Sequence, residues 1–187
     1  MAITINGSGT LSGVTAGLTS ASMPDGAVIQ IQSTTKTDTY SVSVGANSTA
    51  GANAIEVAIT PSSATNKILI LVSAHASSQY SGAVDHGAVQ AILYKGSSVL
   101  VQGDAASNRG RVTMRAGDSD ATSVEEPLNF NYLDTAGGTS AITYGIRLHN
   151  SDNGTQTMYL NRSHTDTDSA TTYTRTVSSI TVMEIAA

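Results

Sequence analysis

Cysteine and tryptophan are absent from the 187 residues, phenylalanine occurs once, proline three times, and charged side chains make up only 12%. Each shortage excludes something. Without cysteine there is no disulfide framework and no thiolate metal site, so stability must come from packing or assembly. With 4% aromatics, the chain is poor in the exposed rings on which sugar-binding modules stack their ligands. The charge content is about half that of an ordinary soluble domain, so the polar surface must be built from Ser, Thr, Asn and Gly, and such a surface repels copies of itself weakly. A net charge of -5 with nine Lys and Arg leaves no basic stripe to follow a phosphate backbone, which speaks against nucleic acid as a partner. No apolar run approaches the ~20 residues of a membrane helix, so no membrane partner is expected. The start, Met1-Ala-Ile-Thr-Ile, lacks the basic and apolar regions of a signal peptide.

What is present is alternation. Lys67-Ile-Leu-Ile-Leu-Val-Ser-Ala-His75 is the one unbroken aliphatic run, and its length between turn-forming flanks predicts a central strand buried on both faces. Around it, apolar residues alternate with Ser, Thr, Asn or Gln. Ile29 and Ile31, then Tyr40, Val42 and Val44, then Ile55, Val57 and Ile59 share one side of their segments. Gly87 to Lys95 and Ser98 to Gln102 read as a hairpin turning through Gly96. Arg111 to Ala116, Leu128 to Tyr132, Ile142 to Leu148, Gln156 to Asn161 and a last strand from about Tyr173 to Ile185 complete roughly ten strands with no helix. The expected fold is all-β: a single antiparallel β-sandwich or jelly roll over residues 27–187, preceded by an extended arm over residues 1–26. Pro24-Asp-Gly26 marks the turn between them. The arm is too rich in Gly and Ser for a core of its own. Its Ile3, Ile5, Leu11, Val14 and Leu18 are spaced evenly enough to attach it to another subunit as added strands.

Catalytic and metal patterns are missing. His75, His86, His149 and His164 match no zinc spacing. Asp118-Ser-Asp120 and Asp166-Thr-Asp168 offer two oxygen ligands each, where calcium takes six to eight. There is no Gly-x-Ser-x-Gly elbow. Carboxylates at Glu56, Asp104, Glu125, Glu126 and Glu184 could fill any two-acid template, so they single out none. No catalytic residue, metal or cofactor is therefore expected, and the chain reads as a non-enzyme. Two stretches do concentrate polar chemistry in loops: Gly103 to Arg111, with Asp104, Asn108, Arg109 and Arg111, and Asn161 to Asp168, with Asn161 and Arg162. Guanidinium groups beside carboxylates suit a polar glycan, a bidentate bridge between subunits, or the pinning of loops. The lack of nearby aromatics favours the last two over the first.

The succession Ile59-Thr-Pro-Ser-Ser-Ala-Thr-Asn-Lys-Ile-Leu-Ile70, Gly103-Asp-Ala-Ala-Ser-Asn-Arg109, Tyr132-Leu-Asp134 with Thr139-Ser-Ala-Ile-Thr-Tyr144, Asn161-Arg-Ser163 and Val177-Ser-Ser-Ile-Thr-Val-Met-Glu-Ile185 resembles a domain of marine tailed phages, above all cyanophages. In them it forms the C-terminal knob of tail-fibre and other virion surface proteins. Ile3-Thr-Ile-Asn-Gly-Ser-Gly-Thr-Leu-Ser-Gly13 resembles the segment that precedes this knob. The resemblance spans nearly the whole chain and carries over no catalytic residue. It implies a β-sandwich knob on the virion exterior, a homotrimer, made in the host cytoplasm. Such fibre proteins usually carry a shaft and a tail-docking domain before the knob, whereas here about two dozen residues precede it. Attachment to capsid or tail proteins is accordingly expected through the arm, as a decoration or cement protein of the head-fibre kind or as a short fibre tip. A receptor-binding module for host-surface polysaccharide is the alternative expectation.

Overall fold

The computed structural model describes residues 23–78, 88–117 and 125–187, together with the backbone of two short paired strands, β1 (Thr4–Ile5) and β2 (Leu11–Ser12). Twelve further strands form two six-stranded antiparallel sheets facing each other across one core, and the described residues contain no helix.

The first sheet is organised on β7 (Lys67–Ser78). On one side of it lies β11 (Glu126–Thr135), in register over ten residues. On the other side β14 (Ser178–Ile185) and β13 (Gln156–Leu160) follow one another end to end along β7. Beyond them, also end to end, lie β3 (Val28–Lys36) against β14 and β4 (Tyr40–Val44) against β13. The second sheet is organised on β12 (Ile142–Asn150), flanked by β8 (Val89–Lys95) on one side and by β6 (Ile55–Ile59) and β5 (Ser48–Thr49) on the other. Outside β8 come β9 (Ser98–Val101) and β10 (Met114–Ala116). Lys95 pairs with Ser98 across the two-residue turn Gly96-Ser97, where Gly96 has φ +60°, the left-handed geometry that a tight hairpin requires.

Period-two alternation fills the core. Ile68, Ile70, Leu128, Met158, Leu160, Ile180 and Val182 point inward from the first sheet and meet Val89, Leu93, Tyr144, Ile146 and Leu148 of the second. Burying an aliphatic side chain of this size contributes about 1.5–3 kcal/mol, which makes these rows the main source of stability. β7 is central within its sheet, as its sequence suggests, but it is not buried on both faces: Ile68, Ile70 and Val72 are buried while Leu69 is half-buried and Leu71 exposed. The outer face of this sheet has nothing over it there among the described residues.

Polar side chains tie the two sheets at one end. Asp134 of β11 accepts from the Tyr144 hydroxyl of β12 at 2.8 Å and from Lys95 Nζ of β8 at 2.7 Å. Burial first, and then the hydrogen bond and charge of Asp134, push the Tyr144 phenol far above its ordinary range, so it serves as a neutral donor.

Candidate functional site

β13 and β14 would be one strand along β7 were it not for an excursion of residues 161–177 between them. Asn161 opens it. Its φ of +62° turns the chain out of the sheet, a conformation that asparagine tolerates better than most residues. The side chain is fully buried and both of its amide hydrogens are used: Nδ2 donates to Lys36 O at 2.8 Å and Asp38 O at 2.9 Å, while Oδ1 accepts from Ser178 Oγ. The backbone closes the neck, with Asn161 N donating to His75 O at 2.9 Å and His75 N to Ser178 Oγ at 3.1 Å. Only a side chain with both donors and acceptors can hold the ends of β3 and β14 at once.

The excursion lies over the outer face of β7. Ser77 Oγ donates to Arg162 O at 2.8 Å, the His75 ring is 3.2 Å from Val177 O, and Thr174 Oγ1 donates to Glu125 Oε2 at 3.3 Å. Arg162 and Arg175 form a β-bridge across its base. Arg175 grips both oxygens of Asp166 through Nε and Nη2, and Arg162 Nη1 stands 3.6 Å from the same carboxylate. The Arg162 guanidinium stacks 4.5 Å above the Tyr159 ring and donates to Ser163 O and His164 O at 3.0 and 2.9 Å. Beside this frame opens a cavity of about 400 Å³ lined by Asp166, Asp168, Ser169, Tyr173, Thr174 and Arg175. Carboxylates, hydroxyls, a guanidinium and one phenol ring around an open depression make an array of donors and acceptors for a polyhydroxylated ligand. Tyr173 is the member that sequence reading misses: among Thr171, Thr172 and Thr174 it reads as part of a strand, yet it stands in the loop.

The second polar stretch belongs to the other sheet. Residues 102–113 connect β9 to β10, and there Arg111 Nε donates to Gly103 O at 2.7 Å and Arg109 N to Ala106 O at 3.1 Å. Thr113 anchors the segment, its hydroxyl donating to Val101 O and accepting from Leu93 N at 2.9 Å. Asp104, Asn108, Arg109 and Arg111 are exposed, and Arg109 borders a cavity of about 400 Å³ shared with Gln90, Val112, Arg115 and Ser151. The two polar constellations thus sit on different sheets. Of the arm residues, Ile5 and Leu11 face each other in the β1–β2 register, while Ile3, Val14 and Leu18 lie outside the described residues, as does His86. Among the described residues no three His, Asp or Glu side chains gather where they could hold a metal ion.

No protein-family model matches the chain, and no curated protein sequence matches it.

Proposed function

We propose that this protein is a non-enzymatic structural subunit of a tailed-phage virion, a trimeric knob on the particle exterior attached through its N-terminal arm. A capsid decoration or cement role of the head-fibre kind, or a short fibre tip, accords with the motif resemblance over nearly the whole chain. The structural observation that supports the reading is how the strongest polar groups are used. Asn161, Arg162, Asp166, Arg175, Asp134 and Glu184 are all engaged in holding loops and strands to one another. A sandwich whose ionic and amide groups lock its own shape suits a rigid surface element. Deleting residues 1–22 should leave a folded knob that no longer joins particles, measured by quantitative mass spectrometry of purified virions; normal incorporation of the truncated chain would overturn the arm's role. In intact particles, a copy number near that of the major capsid protein would place the knob on the shell, and a far lower one at the tail.

The cavity beside Tyr173 favours a second reading, a module that contacts host-surface polysaccharide. Saturable binding of the isolated protein to host envelope glycan, lost on Tyr173→Ala and Asp168→Ala substitution, would support it. Absence of binding by the unaltered protein would leave decoration as the better account.

A further inference from the structure

The outer face of the second sheet carries a cavity whose charge sets it apart. Cross-strand pairing places Arg115 of β10, Gln90 of β8, His149 of β12 and Thr49 of β5 in one row. Their sequence neighbours Met114, Val89 and Leu148 point into the core, so the row looks outward. Gln90 is only 5% exposed, and its Nε2 donates to Ser151 Oγ at 2.6 Å, which fixes a buried polar group in the lining. Arg109, Gly110 and Val112 of the 102–113 connection, with Arg115, complete the cavity of about 400 Å³.

The connection holds its arginines differently. Gly103 N donates to Val112 O at 3.1 Å and joins its ends, and Arg111 Nε donates to Gly103 O at 2.7 Å. Arg109 is exposed, and among the described residues its guanidinium makes no ion pair and covers no ring. Arg109 and Arg115 thus bring two positive charges to a cavity that no carboxylate lines among the described residues. The cavity beside Tyr173 sets Asp166 and Asp168 against Arg175 alone. Another, of about 420 Å³ and bordered by β3 and β6, sets Asp38 and Glu56 against Lys36 alone. In a chain of net charge -5, two guanidinium groups without an acid reverse the local sign and attract an anion.

Size and lining narrow the class of ligand. Guanidinium groups take carboxylate, sulfate or phosphate oxygens through charge-assisted hydrogen bonds. A volume of about 400 Å³ lies at the lower end of small-molecule sites, and one inorganic oxyanion would fill little of it. Apart from Gly110, the uncharged lining is an amide, a hydroxyl and one valine, with no aromatic ring on which a nucleobase would stack. An amide and a hydroxyl match the hydroxyl groups of a sugar. Without rings beneath that sugar, charge must supply most of its affinity.

We propose that the cavity bordered by Arg109, Arg115, Gln90 and Ser151 binds an acidic sugar, its carboxylate or sulfate on the two guanidinium groups and its hydroxyls on Gln90 and Ser151. This goes beyond the polysaccharide reading of the Tyr173 cavity and does not rest on it, because two carboxylates there disfavour an acidic ligand. Either site can fail without the other.

The probes are a galacturonate oligosaccharide, its methyl ester, a sulfated galactan oligosaccharide and inorganic sulfate, each titrated calorimetrically into the full chain at low salt. At least one of the two acidic sugars should bind, and the uncharged ester should not. Arg109→Gln and Arg115→Gln should each weaken that binding about ten-fold, the loss of one charge-assisted hydrogen bond. Lys36→Gln, which removes a positive charge from the first sheet, should leave it unchanged. In the unaltered protein, amide chemical-shift changes on binding should centre on Gln90, Gly110, Val112 and Ser151, a readout independent of how the variants fold. Equal weakening by Lys36→Gln would mean diffuse attraction, and equal binding of the ester would remove charge from the recognition. Sulfate bound as tightly as the sugars would make this a site for a free oxyanion only. Shifts centred on residues 166–175 would move the ligand to the other cavity, and failure of both acidic sugars to bind would leave the cavity without this role. Each of these overturns the proposal.

Discussion

A carboxylate at the core-facing end of β14 meets no water, and Glu184 stays charged there through four donors: Gln30 Nε2 at 2.6 Å, Asn66 Nδ2 at 2.6 Å, and Ser62 N and Oγ, each at 2.7 Å. Burial by itself would raise its pKa; the donors from Gln30, Asn66 and Ser62 together outweigh burial and hold it below the ordinary carboxylate value. A group whose folded pKa is depressed stabilises fully above its unfolded pKa and loses that contribution as pH falls through the folded one. His149 adds an earlier step of the same sign. Burial lowers its pKa below the usual 6.5, so the unfolded chain takes up this proton first and stability begins to decline as pH drops below that value. Acid unfolding should therefore show two regions, the lower belonging to Glu184. Glu184→Gln should cost about 2–3 kcal/mol at neutral pH, because it removes charge-assisted bonds and sets an amide N–H₂ against donors. Urea titrations at neutral pH and well below the carboxylate range should show that difference shrinking as the acid form takes over. A difference independent of pH would mean that Glu184 acts by shape alone.

At the scale of elements, the strands were legible where two different faces meet two different solvents. Leu128, Phe130 and Tyr132, and Ile142, Tyr144, Ile146 and Leu148, alternate in sequence and stand in β11 and β12. Legibility failed where a partner, not the residues, decides. The two residues of β5 are a strand only because His149 and Asn150 lie beside them. Residues 173–177 carry β-forming side chains, yet belong to the excursion, and β14 starts at Ser178 because Asp166 engages Arg175 and Asn161 engages Ser178. β7 reads as doubly buried because apolarity reports which side chains tolerate burial and not what covers them. The partners of Asn161 were beyond sequence reading for a similar reason: the two carbonyls it holds lie 125 and 123 residues away in the chain. Asn161→Ala should cost about 3 kcal/mol, since it strands three polar partners and puts alanine at a left-handed backbone position that asparagine tolerates better. Asn161→Asp, which keeps the acceptor but sets oxygen against two carbonyls, should cost as much. Thermal unfolding measures both, and hydrogen exchange in residues 162–177 should speed up with them; a loss under about 1 kcal/mol in both variants would mean that the neck is held by its backbone bonds alone.

For the whole molecule, surface chemistry and strand edges bear on assembly. β11 has β7 on one side and, among the described residues, no strand of its own sheet on the other, so ten residues of backbone stand at a sheet edge. A long edge is commonly blunted by charge or proline, and here Pro127, Glu126 and Asp134 are the only residues of that kind in β11. Asp134 is turned inward to Lys95 and Tyr144, which leaves the middle of the strand, from Leu128 to Leu133, without a charge. The opposite edge, formed by β3 and β4, carries Lys36 alone. Two neutral edges of one sandwich can meet head to tail, and such a contact closes into a ring when the rotation between neighbours is right and grows into a filament when it is not. With so few charges to repel copies, a closed ring of three would satisfy both edges. Light scattering at micromolar concentration should accordingly give three times the 19.1 kDa of one chain for the full protein, and three times the truncated chain's own mass after removal of residues 1–22. Introducing a charge at the middle of the edge, Asn131→Lys, should shift the mass toward a single chain without lowering the unfolding temperature of the knob by more than a few degrees. A single-chain mass for the unaltered protein would exclude the ring, and a trimer lost only with the arm would move the contact from the sandwich edges to residues 1–22.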